Sequence, residues 1–313
     1  MKKSNAIRCD IQQQVTDRVI AQLEEGGLSP WQCPWTTTGE TAMPYNGFTK
    51  EPYQGINILL LWHTANQKGY ATHAWLTFKQ AQRLGGHIRK GEKSTQCIFY
   101  KTIEVEDRDA PEDAQPDDRK INLPYMRSFC LFNVAQVEGL ADLTAEPAIE
   151  QLMHHDAVSE MDFLTQQYCA HTGVRIRHGG DDAYYSPTLD MIRLPITFHD
   201  DSDYAATLAH ELIHSTGHKN RLDRFAKQTD DFNGLQASYA FEELVAELGA
   251  AFVCAELHIQ GQHEQHASYI EHWLHHLKND KTFLFKAAAQ AGKAYRFFMQ
   301  GGIQEETSVA NVA

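Results

Sequence analysis

The sequence has no apolar run approaching the roughly 20 residues that a helix needs to span a bilayer, so no membrane partner is expected. Its six cysteines, at 9, 33, 97, 130, 169 and 254, show no short paired spacing. That argues against a disulfide framework or a cysteine-built zinc site and fits a reducing compartment. The opening MKKSNAIRCD has two lysines but no apolar stretch behind them, which is not the pattern of a secretory signal. There are no internal repeats. A soluble cytoplasmic protein is the expectation.

An excess of positive charge is also missing: 28 Lys+Arg face 41 Asp+Glu, for a net charge of −13. The sum argues against nucleic acid, but the distribution does not. Residues 1–140 hold 16 basic and 16 acidic residues, so the whole deficit lies in 141–313. Eight of the N-terminal acids fall between Glu104 and Asp118; without that stretch the region has 15 basic and 8 acidic residues. The two halves are electrostatically different.

What is present is core-forming chain. A hydrophobic share of 42% and an aromatic share of 10% indicate folded protein, and 313 residues leave room for two domains. Ile11, Val15, Val19 and Leu23 have helical spacing ahead of Gly26-Gly27. YQGINILLLWHTANQKG reads as a buried helix ending at Gly69. Thr77 and Gln80 form a capping box for a short helix stopping at Gly85-Gly86. STQCIFYKTIEV and RSFCLFNVAQV read as strands around a solvated acidic loop, 104–118. The expected class is α+β: a small α+β domain over 1–140, a linker over 141–152, and a mostly helical domain with a small sheet over 153–313. In the second domain, Met161, Leu164, Thr165 and Tyr168 mark a helix, and 183–194 reads as two strands around a Ser-Pro turn. Helices follow at YAATLAHELIHSTG, at 238–257, around Ile270, Trp273, Leu274 and Leu277, and on to Met299.

His210-Glu211-Leu212-Ile213-His214 is the HExxH pattern, in which residues four apart share a helical face and both imidazoles reach one cation. Glu211 lies beside that face, where it can act as general base. A catalytic zinc site keeps three protein ligands and one position for water. Glu243 and Glu247 share a face of the following helix, and Glu243-Leu-Val-Ala-Glu247-Leu-Gly-Ala resembles the second helix of gluzincin peptidases. That resemblance implies Glu243 as third ligand and Glu247 as the acid orienting His210. His218, at four residues from His214, is expected behind the ligands or on the substrate side. In metzincins the third histidine lies six residues after the second, and here that position is Asn220. Tyr239 and His218 are the candidates for oxyanion donor.

In the N-terminal half, Trp31, Trp35, Tyr53 and Trp75 belong to a dense aromatic series, with Arg89, Lys90, Lys93 and Lys101 around the β-rich run. Single-strand binding combines a basic groove with aromatic stacking platforms, and these eight residues are the candidate contacts.

PWQCPW, PYNGFTKEPYQGIN, WLTFKQAQRLGGHIRKGEKST and RSFCLFNVAQVEGL, then HELIHSTGHKNRLDR and YAFEELVAELGAAF, together resemble the ArdC-type antirestriction proteins of conjugative plasmids. The resemblance spans nearly the whole chain, in order. It implies an N-terminal single-stranded-DNA-binding domain, a C-terminal zincin-like metallopeptidase domain holding Zn2+, and protection of incoming plasmid DNA from restriction during conjugation. It also allows for transfer to the recipient cell with the DNA. Three functions stay open: a DNA-binding metalloprotease that cuts a host restriction factor or itself, a single-stranded-DNA protector with a structural or inactive zinc site, and an acidic DNA mimic.

Overall fold

The computed structural model describes residues 10–24, 43–106, 120–140, 157–225, 232–259 and 267–303. Trp31, Trp35, the expected linker 141–152 and residues 107–118 of the acidic stretch lie outside them, as does the side chain of Lys101.

The N-terminal elements follow the punctuation of the sequence. Helix α1 (Ile11–Glu24) buries Val15, Val19 and Leu23, one per turn. Helix α2 (Ile56–Lys68) stops at Gly69, whose φ of 64° suits glycine and whose N–H reaches back to the Ala65 and Asn66 carbonyls. Strand β1 (Tyr45–Asn46) precedes α2, and β2 (Ala74–Leu76) leads into α3 (Phe78–Arg83). The capping box is present: Gln80 N–H donates to Thr77 Oγ1 at 3.2 Å, and Thr77 N–H donates to Gln80 Oε1 at 2.9 Å. Strand β3 (His87–Ile88) pairs later with β6 (Val137–Glu138).

Strands β4 (Thr95–Glu106) and β5 (Lys120–Asn133) form an antiparallel ribbon in register from Thr95↔Leu131 to Glu106↔Lys120. The start of the expected loop, 104–106, is therefore strand. Among the described residues the sheet order is β1-β2-β5-β4, with β1 parallel to β2. One face packs Trp75, Cys97 and Leu131 against Leu61 and Ala65 of α2; Ala74 and Leu76 face the other way, toward Ala81 and Val137. On the outer edge of β4, the Asn57 amide donates to Ile98 O and accepts from Ile98 N–H, both at 2.8 Å.

The C-terminal elements are α4 (Ala157–Thr172), β7 (Arg175–His178), β8 (Tyr184–Ser186), β9 (Met191–Leu194), α5 (Asp201–Thr216), α6 (Phe232–Glu256), α7 (Ala267–Asn279) and α8 (Phe283–Met299). The two expected strands are β8 and β9, antiparallel; β7 joins them in parallel on the other side of β9. Its four residues, RIRH, hold one apolar side chain, Ile176, too short a pattern to announce a strand. The class is α+β. No helix among the described residues is long and apolar enough to cross a membrane.

The largest core crosses residue 140. Val15, Val19, Ile58, Leu59 and Trp62 share one apolar cluster with Leu248, Phe252, Trp273 and Leu284. Trp62 meets Phe252 edge-on, ring centres 5.8 Å apart, a geometry favoured by ring quadrupoles. Polar links follow the same seam: Thr16 Oγ1 donates to Lys281 O at 3.1 Å, and Arg296 to Gln54 Oε1 at 3.0 Å.

Candidate metal centre

The first half of the site is α5. Asp200 caps it by accepting the Asp203 N–H at 2.9 Å, and Asp201 and Asp203 place negative charge at its N-terminal turn. Ala205, Leu208, Ala209, Leu212 and Ile213 bury its apolar face. At the other end, Arg221 Nε donates to Ser215 O at 2.7 Å and Arg224 Nη2 to Ile213 O at 2.8 Å. These contacts satisfy carbonyls that a helix terminus leaves open.

The second half is α6, which lies close against α5. A Cβ at Gly249 would stand 2.7 Å from Ile213 Cγ2, so glycine is what permits the approach. Across this contact Glu243 faces both histidines. His210 Nε2 and His214 Nε2 are 3.1 Å apart, and the Glu243 carboxylate lies 3.6 Å from the first and 3.5 Å from the second. Among the described residues these three form the group whose donor atoms fall within 4.8 Å of one another.

Each imidazole is backed at its other nitrogen. Glu247 Oε2 is 3.7 Å from His210 Nδ1, and Glu242 Oε1 is 3.4 Å from His214 Nδ1. A carboxylate at Nδ1 favours the proton there and turns the Nε2 lone pair inward. Glu242 is held in turn by Arg224, with Nε to Oε2 at 3.0 Å and Nη2 to Oε1 at 2.6 Å.

The electrostatics fit a divalent cation. Burial disfavours a charged His214, yet the carboxylates of Glu242 and Glu243 outweigh it and push its pKa up to about 10. Burial likewise opposes the Glu243 carboxylate, and the two imidazoles hold its pKa well below the usual range. Four buried or nearly buried carboxylates (Glu211, Glu242, Glu243 and Glu247) converge here with one fixed cation, Arg224. Glu211 Oε2 is buried without a hydrogen-bond partner. Two imidazole nitrogens and a carboxylate oxygen suit zinc and neighbouring divalent ions.

Other residues of the sequence reading sit apart from this cluster. Helix α5 ends at Gly217, and the chain tightens so that His218 N–H reaches Ser215 O. His218 is buried, accepts from Asn220 N–H at 3.3 Å, and is not among the convergent donors. Tyr239 is 56% exposed, one turn before Glu243.

Four supporting residues had no role in the sequence reading: Glu242, Arg224, Arg221 and Asp190. Arg221 Nη1 donates to Asp190 Oδ2 at 3.1 Å and Nη2 to Tyr185 Oη at 2.9 Å, tying the β8–β9 turn to the end of α5. The signal available for the two arginines was RLDR, basic residues three apart just beyond a helix stop.

Of the N-terminal candidates, the described ones differ in exposure. Trp75 is sealed in the core, edge-on to Tyr70 with ring centres 6.0 Å apart, so no base can reach its ring. The Tyr53 hydroxyl is buried without a partner. Arg89 is exposed but paired with Glu92 at 3.2 Å. Lys90 and Lys93 are exposed.

A helix bearing HExxH, a second helix bearing the third donor and a small sheet beside them define a zincin-like metallopeptidase domain, and residues 164–290 match that family model. Residues 9–132 match the N-terminal domain of anti-restriction factor ArdC. The fold is similar to crystal structures of the antirestriction ArdC protein from R388 plasmid. The metal-free form has a TM-score of 0.73 and the Mn(II)-bound form 0.71; each is 39% identical, with 94% of this chain and 98% of that chain covered. An uncharacterized Sinorhizobium fredii protein, y4eC, is 37% identical over 90% of this chain and 89% of its own. A DNA primase TraC of Escherichia coli is 35% identical over 95% of this chain, which spans 28% of that primase. The chain belongs to the ArdC family of antirestriction proteins.

Proposed function

We propose that this chain binds single-stranded DNA through its N-terminal region, about 1–140, and hydrolyses a peptide bond at the His210/Glu211/His214/Glu243 site in 153–313. In this reading it protects incoming DNA during conjugation, in the cytoplasm of the donor or the recipient. The observation that carries the hydrolytic part is the donor set itself: two Nε2 atoms 3.1 Å apart, each imidazole backed by its own carboxylate.

Zinc is the proposed ion; when bound it polarises a carbonyl and lowers the pKa of a water molecule. The chain supplies the rest. Glu247 and Glu242 hold the two rings by Nδ1. Glu211, whose Oε2 is buried and uncommitted, takes the proton of the attacking water and returns it to the leaving amine. Tyr239, exposed on the turn before Glu243, is the proposed donor to the developing oxyanion. A host restriction factor is the proposed class of protein substrate.

The test is the wild type and Glu211→Gln, each loaded with zinc and incubated with labelled casein, with and without single-stranded DNA. Equal zinc content with cleavage by the wild type alone supports the reading. No cleavage by either favours the protector with an inactive site. Loss of zinc along with activity in the variant contradicts the base assignment.

A further inference from the structure

The sequence reading chose Trp31, Trp35, Tyr53 and Trp75, but among the described residues the most exposed rings around the first sheet are phenylalanines. Phe48 is 43% exposed and Phe78 50% exposed. Each is large, apolar and held at the surface by local hydrogen bonds. The N–H groups of Phe48 and Thr49 donate to Asn46 Oδ1 at 2.9 and 3.2 Å, closing a tight turn. Phe78 is the first residue after the Thr77 cap, whose box with Gln80 fixes the backbone there.

The strand register brings the two together. Asn46 pairs with Trp75, and Gly47 N–H donates to Trp75 O at 3.0 Å. A Cβ at Gly47 would lie 3.3 Å from Leu76 Cδ2. Phe48 follows Gly47, and Phe78 lies two residues beyond Leu76, so both leave the same end of the β1–β2 pair.

Charge selects the partner. Residues 43–95 carry seven Lys or Arg and two Glu. One of the two acids, Glu92, is taken up by Arg89 and by Gln136 at 2.9 Å. Lys79 and Arg83, on α3 directly after Phe78, are exposed and form no ion pair among the described residues, as do Lys90 and Lys93. Preorganised aromatic faces beside uncommitted cations suit a chain of alternating bases and phosphates.

We infer that Phe48 and Phe78 are base-stacking platforms for single-stranded DNA, with Lys79 and Arg83 as phosphate contacts. The inference rests on the single-strand reading above and moves its aromatic contact from Trp75 to the surface.

The experiment uses the full chain and fluorescence anisotropy with labelled dT20 and an abasic oligonucleotide of equal length, for the wild type and F48A/F78A. The expected result is at least tenfold weaker dT20 binding by the variant, with the salt dependence unchanged and abasic binding equal in both proteins. Restoration by F48W/F78W is expected. A dT oligonucleotide carrying 2-aminopurine tests the wild type directly, and stacking should change its fluorescence. Wild-type protein that binds dT20 with no 2-aminopurine change, or a folded F48A/F78A that binds as the wild type does, overturns the platform and leaves single-strand binding standing. Wild-type protein that binds neither oligonucleotide overturns the single-strand reading itself. A concentration-dependent dimer lost in F48A/F78A, with DNA affinity intact, assigns the rings to contact between copies and overturns the inference.

Discussion

Arg224 holds Glu242 through two nitrogens, at 3.0 and 2.6 Å, with both side chains nearly excluded from solvent. Through that carboxylate it reaches His214, and through Ile213 O and Thr216 Oγ1 it also secures the end of α5. Glu242→Gln should weaken metal affinity by about 10–100-fold while leaving the fold intact, read by competition with a chromophoric chelator. Arg224→Ala strands a buried carboxylate and should cost about 3 kcal/mol in urea unfolding. Replacing both, as R224M/E242L, should recover stability but not metal affinity.

Gly249 sets the spacing of α5, which carries His210 and His214, and α6, which carries Glu243. Gly249→Ala places a methyl against Ile213, and the expected overpacking cost is about 1–3 kcal/mol. Because His210 and His214 ride on one helix and Glu243 on the other, metal affinity should fall with it. I213A removes the colliding atoms, so G249A/I213A should bind metal more tightly than G249A. Equal affinities in the two variants would separate helix spacing from metal binding.

His73 is buried, and neither ring nitrogen has a hydrogen-bond partner. Burial, with a smaller contribution from His258, lowers its pKa from 6.5 to about 4. Between those values the unfolded chain binds a proton that the folded chain refuses. Stability should therefore fall as pH drops from about 6.5 to about 4, by roughly 3 kcal/mol for this group. Urea unfolding across that range should show a shallower decline for His73→Leu than for the wild type. Parallel declines would contradict the assignment.

The shared core predicts joint unfolding. Trp62 is fully buried between helices from the two ends of the chain. Trp62→Ala should cost about 3–5 kcal/mol and lower a single transition seen by probes in both halves. Two separated transitions would show that the halves fold independently. The exposed Lys278–Glu24 pair on the same seam, about half accessible on each side, should contribute little: E24A should unfold within about 0.5 kcal/mol of the wild type.

Local chemistry was legible before any fold was known. The Gly69 stop, the Thr77–Gln80 box and the i, i+4 spacing of His210 and His214 all depend on residues within one or two turns of each other. Glu243 and Glu247 could be read as one face of one helix, and a family resemblance supplied their roles. Glu242 could not be read this way. Its partners are His214, 28 residues away, and Arg224, 18 residues away, and they meet only when α5 packs on α6. Trp75 misled because a three-residue strand, fully buried along its length, has no alternation to show which side faces water. β7 was missed for the opposite reason: charged side chains on an edge strand look like loop. The joining of α1 and α2 to the C-terminal helices leaves no mark on hydrophobic periodicity, which reports that a face is buried but not what covers it.

The amide of Asn57 occupies both main-chain groups of Ile98 on the outer edge of β4. An open strand edge is a template on which another chain can add itself, and among the described residues no further strand pairs with the outer side of β4. One side chain from the neighbouring helix fills the rung at Ile98 and leaves an incoming strand without continuous pairing. The ribbon is thereby guarded against runaway self-assembly at the point where it leaves the packed body of the sheet.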